Sequence, residues 1–243
     1  MRITRLYYSE QLKCGETTFL DANASSHLIR VLRSKQGTAI ILFNGDGFDY
    51  SCKTLDTNPK KTSVIIESKE QVQKESNLCI TLIQGLSRQD RMEATIQKSV
   101  ELGVNKIIPV ICQRSNSKLV NEKKVKKLEH WRKVAISACE QSGRSIIPDI
   151  TEITSLNDIS SLLSEHAHRL NLNPAATTSL KDIDNNHQSI ELLIGPEGGL
   201  NDNETAFLKK NSFVDIRFGP RILRTETAGP AVISALQTLW GDF

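Results

Sequence analysis

The chain has no apolar run of the roughly eighteen residues that a membrane-spanning helix needs, so no span is expected. Its first residues, Met1-Arg2-Ile3-Thr4-Arg5, lack the apolar core of a signal peptide, and no leader is expected. The five cysteines (14, 52, 79, 112 and 139) are odd in number, scattered and never paired as Cys-x-x-Cys. Disulfides and zinc are therefore not expected, and a reducing cytoplasm fits. The five histidines (27, 130, 166, 168 and 187) lack zinc-site spacing, so no metal is expected. No Gly-x-x-x-x-Gly-Lys-Ser/Thr loop occurs, which argues against a P-loop ATPase, and no Gly-x-Ser-x-Gly elbow argues for a hydrolase. The first strand of the α/β part ends in Gln84-Gly85-Leu86-Ser87-Arg88, without the Gly-x-Gly of a dinucleotide binder. A large excess of one sign of charge is also lacking, with 31 Lys and Arg against 28 Asp and Glu. The net charge of +3 permits an anionic partner without demanding one.

What is present fits an ordinary soluble globular protein, with 38% hydrophobic and 24% charged residues. A length of 243 residues allows one large domain or two modest ones. Residues 1–72 read as β-rich. Strands are expected over Ile3–Tyr8, Thr18–Leu20, Ala39–Phe43, Phe48–Leu55 and Lys61–Glu67, with a hairpin at Asn44-Gly45-Asp46-Gly47. A short helix over Asn23–Leu32 would place Leu28, Val31 and Leu32 on one face. Several short strands with one small helix suggest a compact barrel. Arg2, Arg5, Arg30 and Arg33 punctuate it, and charge alone supports a solvated rim as well as a ligand-binding face. The polar stretch Lys69–Asn77 marks a domain boundary.

From residue 73 onward the pattern alternates strand and helix, which predicts an α/β domain with a mainly parallel sheet. Leu78–Leu86 and Lys106–Cys112 read as strands, and Asp90–Leu102 as a helix stopped by Gly103. Glu122–Gln141 reads as a long helix with Val125, Leu128, Trp131, Val134, Ala135 and Ala138 on its inner stripe. The lysines at its start (123, 124, 126 and 127) read first as a wet face and second as an RNA contact. Leu156–Glu165 reads as a short helix, His168–Leu172 as a strand, and Lys181–Gln188 as a loop. The last helix is expected from near Thr227, with Pro230 in its first turn.

The most informative stretch is Ile190–Ala228. An apolar strand runs into Gly195-Pro196-Glu197-Gly198-Gly199 and a short helix. A strand over Val214–Phe218 then runs into Gly219-Pro220-Arg221-Ile222-Leu223-Arg224-Thr225-Glu226-Thr227-Ala228. Two glycine-bearing loops would thus leave the ends of two neighbouring strands, where open α/β sheets bind ligands. The glycines alone favour a plainer reading, as tight strand–helix turns.

These two motifs in order, with Lys98–Val104 and Glu140–Arg144 upstream, resemble the ribosomal small-subunit methyltransferase E family. That family comprises 16S rRNA (uracil-N3) methyltransferases of the SPOUT superfamily. The resemblance spans the whole chain. It implies a PUA-like RNA-binding β-barrel over 1–72 and a SPOUT domain over 73–243, with a deep trefoil knot. It implies S-adenosylmethionine bound by Leu172, Ile194, Gly195, Glu197, Gly198, Gly199, Phe218, Gly219, Ile222, Leu223, Arg224, Thr227 and Ala228. It also implies a homodimer acting on 16S rRNA in the assembled small subunit. The chain departs from the family's His-Pro-Glu with Asn173-Pro174-Ala175, so any contact made by that His or Glu side chain is not carried over.

The chemistry of methylating uracil N3 adds further expectations. Arg221 or Arg224 would stabilise charge on the base, and Glu226 would act as base or orient an arginine. Equally, Glu226 fits a helix N-terminal carboxylate. RNA contact falls to Arg2, Arg5, His27, Arg30, Arg33, Arg114 and Arg144, with Lys118 on the same surface. Two other classes remain at this point: an RNA-binding protein without activity, and a phosphate-binding enzyme using the Gly198-Gly199 loop.

Overall fold

The structure is a computed structural model that describes residues 3–115, 121–184 and 187–243. Arg2 and Lys118 lie outside the described residues. The chain forms two compact units, one of residues 1–75 with Cys139–Ile147, the other of 76–138 with 148–243. The sequence expectation of a break after residue 72 carries no hint of that returning segment.

The first unit is a five-stranded sheet. Its strands are β1 (Thr4–Tyr7), β2 (Thr17–Phe19), β3 (Ala39–Phe43), β4 (Phe48–Thr54) and β5 (Ser63–Gln71), in the order β1-β3-β4-β5-β2. The β3–β4 turn is set by Gly45 and Gly47, both at positive φ, with Asp46 Oδ1 accepting the Phe48 N–H at 3.0 Å. Alternate residues of these strands point inward, so Leu6, Ile40, Leu42, Tyr50, Val64 and Ile66 form one core with Leu28. Leu28 sits in the turn that follows α1 (Ala22–Ser26), whose N-cap Asp21 accepts the Asn23 and Ala24 N–H groups. The expected apolar face does not extend further: Val31 and Leu32 are exposed. The helix widens into a single π-turn over His27–Val31 and stops at Arg33, whose φ of 54° is left-handed.

The returning segment is tied to this sheet by buried charge. Arg5 pairs with Asp49 and donates to Ser145 Oγ at 2.9 Å and to the Arg144 carbonyl at 3.1 Å. Arg144 pairs with Glu75, and Glu140 accepts the Tyr7 N–H at 3.0 Å.

The second unit is built on a parallel sheet. Its strands are β6 (Cys79–Gly85), β7 (Lys106–Ile111), β8 (Asp149–Ile150), β9 (Thr154–Ser155), β10 (His168–Leu172), β11 (Ser189–Ile194) and β12 (Val214–Ile216). The order is β12-β10-β11-β6-β7-β8, with β9 also on β7, and every pairing is parallel. Near-continuous apolar runs such as Leu82-Ile83 and Leu192-Leu193-Ile194 suit a sheet covered on both faces. The order corrects one expectation: β11 and β12 are not neighbours, because β10 lies between them.

Helices α2 (Gln89–Glu101), α4 (Asp202–Lys210) and α5 (Thr225–Trp240) belong to this unit, as does α3 (Asn121–Ser142) as far as Ala138. Gly103 at φ 87° ends α2 as expected. On α3 the buried stripe starts at Leu128 and Trp131, whereas Val125 is 57% exposed. Helix α5 begins two residues earlier than expected, so Pro230 falls inside it rather than in its first turn. Its Gly229 brings the helix close to the sheet and α2. A methyl group there would sit 3.6 Å from both Gln84 and Thr95 and 3.7 Å from Leu82. Residues 156–162 form a 3-10 helix, and 180–182 a 3-10 turn inside the expected loop.

Candidate active site

Three loops leave the C-terminal ends of β10, β11 and β12 and enclose a cavity of about 290 Å³. The first contributes Asn171 to Pro174, the second Ile194 to Glu197 with Gly199 and Leu200, and the third Arg217 to Gly219 with Arg221 to Leu223. Thr225 and Ala228 of α5 close it. A cavity at the carboxyl ends of parallel strands is where such a sheet offers free backbone groups to a ligand.

Each loop is held by identifiable bonds. In the first, Asn173 replaces the expected histidine and takes a local role. Its Oδ1 accepts the Ala175 N–H at 3.0 Å, and its Nδ2 donates to Asp215 at 3.0 Å. Asn171 Nδ2 donates to the other oxygen of Asp215 at 2.7 Å, locking β10 to β12. In the second, Thr225 Oγ1 donates to the Gly195 carbonyl at 3.4 Å, and Arg114 Nη1 donates to the Gly198 carbonyl at 3.3 Å. Glu197 pairs with Arg91 of α2. In the third, strand pairing stops at Ile216, but Arg217 N–H still donates to the Thr178 carbonyl at 2.8 Å. Gln84, fully buried at the end of β6, donates to Thr225 Oγ1 at 3.0 Å.

The glycines answer different demands. Gly85 is required by packing, since a Cβ there would lie 2.6 Å from the Pro196 nitrogen. Gly198 is required in the same way by Arg114, at 2.9 Å. Gly199 and Gly219 have φ of 71° and 74°. Gly195 meets neither demand. A Cβ there would only touch Leu200 at an ordinary 3.6 Å, and it lines the cavity.

Most of the expected cofactor residues are brought together. Leu172, Ile194, Gly195, Glu197, Gly199, Phe218, Gly219, Ile222, Leu223 and Ala228 line the cavity; Gly198, Arg224 and Thr227 do not. Arg224 is the exposed N-cap residue of α5. Arg221 lines the cavity and is exposed, and Ile222 beside it is 83% exposed. Glu226 is outside the lining. Its Oε1 lies 3.7 Å from Arg91 Nε, while its Oε2 is buried without a hydrogen-bond partner. The arginine that it faces is therefore Arg91 rather than Arg221 or Arg224.

Sequence reading passed over Arg91, Arg217 and Gln84. Arg217 lines the cavity beside Arg221. Arg91 escaped notice because its partner Glu197 is 106 residues away.

The expected RNA contacts divide. His27, Arg30, Arg33 and Arg114 are exposed. Arg5 and Arg144 are corrections: their side chains are 7% and 4% exposed and occupied by Asp49 and Glu75. Charge is visible in sequence; the carboxylates that withdraw it into the fold are not. Burial pushes the Cys52 and Cys112 thiols up to about 12 and Cys139 to about 11, which keeps all three protonated. Among the described residues no group of three His, Cys, Asp or Glu is placed to hold a metal ion.

Residues 74–237 match the RNA methyltransferase domain family, and residues 20–67 the RNA methyltransferase PUA domain family. A ribosomal RNA small subunit methyltransferase E of Buchnera aphidicola subsp. Schizaphis graminum is 35% identical over 99% of this chain and 98% of its own. The crystal structure of a ribosomal RNA small subunit methyltransferase E from Neisseria gonorrhoeae, bound to S-adenosyl methionine, is 37% identical. It covers 100% of both chains with a TM-score of 0.91. A methyltransferase of Legionella pneumophila, solved with SAM bound, is 36% identical with a TM-score of 0.95, again over 100% of both chains.

Proposed function

We propose, from the premise that this chain belongs to the ribosomal RNA small-subunit methyltransferase E family, that it methylates N3 of one uridine in 16S rRNA. It is an S-adenosylmethionine-dependent rRNA methyltransferase by that membership. The assembled small subunit as substrate, the homodimer and a cytoplasmic location belong to the same proposal. So do a PUA-like RNA-gripping domain over 1–72 and a knotted methyltransferase domain over 73–243.

The observation that carries the reading is the cavity bounded by Gly195. Glycine there has no turn or packing to satisfy, and any side chain would narrow a space at the lower end of the roughly 300–1,000 Å³ typical of ligand sites. Apolar side chains of Leu172, Ile194, Phe218 and Leu223 suit an adenine ring, and the loop backbones offer N–H and C=O groups to its edge. Arg217 is a cation suited to the carboxylate of the methionyl part. S-adenosylmethionine supplies an activated methyl group and leaves as a neutral thioether, so the protein need not protonate a leaving group.

The protein's task lies on the side of the base. Uracil N3 sits on the pairing edge, so the nucleotide must be unpaired or flipped to reach the cavity. Loss of its proton spreads negative charge over the flanking carbonyl oxygens. In this reading Arg221, at the cavity wall, and Arg224, the N-cap residue of α5, oppose that charge. On the first unit, Arg30 and Arg33 are exposed basic groups suited to phosphate. Arg33 holds a left-handed φ at a cost of about 1 kcal/mol where glycine is usual, which supports a role outside the fold.

The test is mass mapping of methylated nucleotides after small subunits from an unmethylated strain are incubated with the protein and S-adenosylmethionine. One new methyl on a uracil base at N3 is expected. Methylation of a ribose, or none despite tight cofactor binding, overturns the target. Arg224→Ala should keep cofactor binding and lose at least about tenfold in methylation rate, in line with removing one charge-stabilising group.

A further inference from the structure

Arg91 is assigned no role by family resemblance or by the cavity lining, yet it touches both halves of the site. Its guanidinium pairs with Glu197 in the loop after β11, and its Nε faces Glu226 in the first turn of α5 at 3.7 Å. All three side chains are only about a quarter exposed, at 27%, 27% and 21%. The loop that carries Glu197 contains Gly195, Gly198 and Gly199, so its own backbone does little to fix its path. Besides its internal turn, it is pinned by Arg114 at Gly198, by Thr225 at Gly195 and by Arg91 at Glu197. Arg91 adds a second tie to α5, through Glu226, beside the Thr225 hydrogen bond from the helix whose Thr225 and Ala228 close the cavity.

The contacts explain why the pin is a guanidinium. One planar group reaches both carboxylates, and Glu226 Oε2 is buried without a hydrogen-bond partner. Without Arg91, Glu226 would be a partly desolvated anion beside the Glu197 carboxylate, with the guanidinium that faces both of them gone. The cheapest relief is for the glycine loop to swing away, and that loop is a wall of the cavity. A lysine would restore the charge but not the planar fork that addresses two carboxylates at once.

We propose that Arg91 is a positioning residue of the cofactor site, holding the Gly195–Gly199 loop against the start of α5 through Glu197 and Glu226. The proposal rests on the cofactor reading of the cavity. Its test is calorimetric binding of S-adenosylhomocysteine to the wild type, Arg91→Ala, Arg91→Lys and the double variant Arg91→Ala/Glu226→Gln, each with a thermal unfolding curve. Arg91→Ala should bind at least about tenfold more weakly, the scale expected when a site wall is displaced. Arg91→Lys should recover part of that loss. The double variant should bind more tightly than Arg91→Ala alone, because one of the opposed anions is gone, and a purely structural arginine would show no such rescue. Wild-type affinity in Arg91→Ala overturns the proposal and leaves the cofactor reading standing. Equal weakness in all three variants also overturns it. A wild-type protein that binds no S-adenosylhomocysteine removes the cofactor reading, and the positioning role falls with it. Should Arg91→Ala fail to fold, the lysine variant decides: wild-type affinity with the loop pinned by charge alone refutes the need for the fork.

Discussion

The parallel sheet carries an arginine–glutamate cluster at each end, and the two are finished differently. Where the strands begin, Arg169 of β10 donates to Glu191 of β11 at 3.0 Å and to the carbonyls of Asn211 and Ser164 at 2.9 and 2.6 Å. The second oxygen of Glu191, which is 2% exposed, accepts the Ser164 N–H at 2.7 Å. Where the strands finish, Arg91 divides itself between two carboxylates about a quarter exposed, and Glu226 keeps a buried oxygen with no hydrogen-bond partner. A fully satisfied buried network is spent on specifying the fold. An incompletely satisfied one beside a cavity has capacity left for a ligand or a movement.

That contrast can be broken by experiment. The largest effect on stability is expected from Arg169→Ala, which strands Glu191 as a buried charge and should cost about 3–5 kcal/mol in denaturant unfolding. The affinity of the remaining folded protein for S-adenosylhomocysteine should not change. A weakened cofactor site in a well-folded Arg169→Ala would show that the two ends are coupled. An intermediate effect is expected from Thr225→Val, which keeps the shape but removes the acceptor for Gln84 and should cost about 1–3 kcal/mol. Thr225 lines the cavity, so this variant should lose cofactor affinity as well, the signature of a residue serving both fold and site. The smallest effect is expected from Gly219→Ala. A methyl group there meets nothing within 4 Å, so only the left-handed backbone resists, at about 1 kcal/mol. If Gly219→Ala proves as costly as Arg169→Ala, the open end is as tightly built as the closed one, and the comparison fails.

Features with a local cause were legible in the sequence. The turn at Asn44–Gly47, the stop of α2 at Gly103 and the apolar runs of β6 and β11 each depend on neighbours within a few residues. The cavity walls were also legible, because the loops that form them are contiguous stretches of chain. What escaped reading is non-local. Nothing in Val214–Ile216 says that it pairs with β10 rather than with β11. Arg5 and Arg30 look alike in sequence, but one meets Asp49 across the sheet and the other meets solvent. Val125 fits the helical stripe of α3 as well as Leu128 does, yet the helix outruns the core at that end and leaves it outside. Glu226 was legible as a carboxylate at a helix start, and its partner on α2 was not.

The strand order has a consequence for biosynthesis. β11 lies between β6 and β10, both of which leave the ribosome before it. Until residues 189–194 emerge, β10 has no partner on either side and β6 has one bare side, and unpaired strand margins invite association with other chains. Products of premature termination before that point should therefore clump or be degraded, and the chain should gain protease resistance in one late step as its middle strand is supplied.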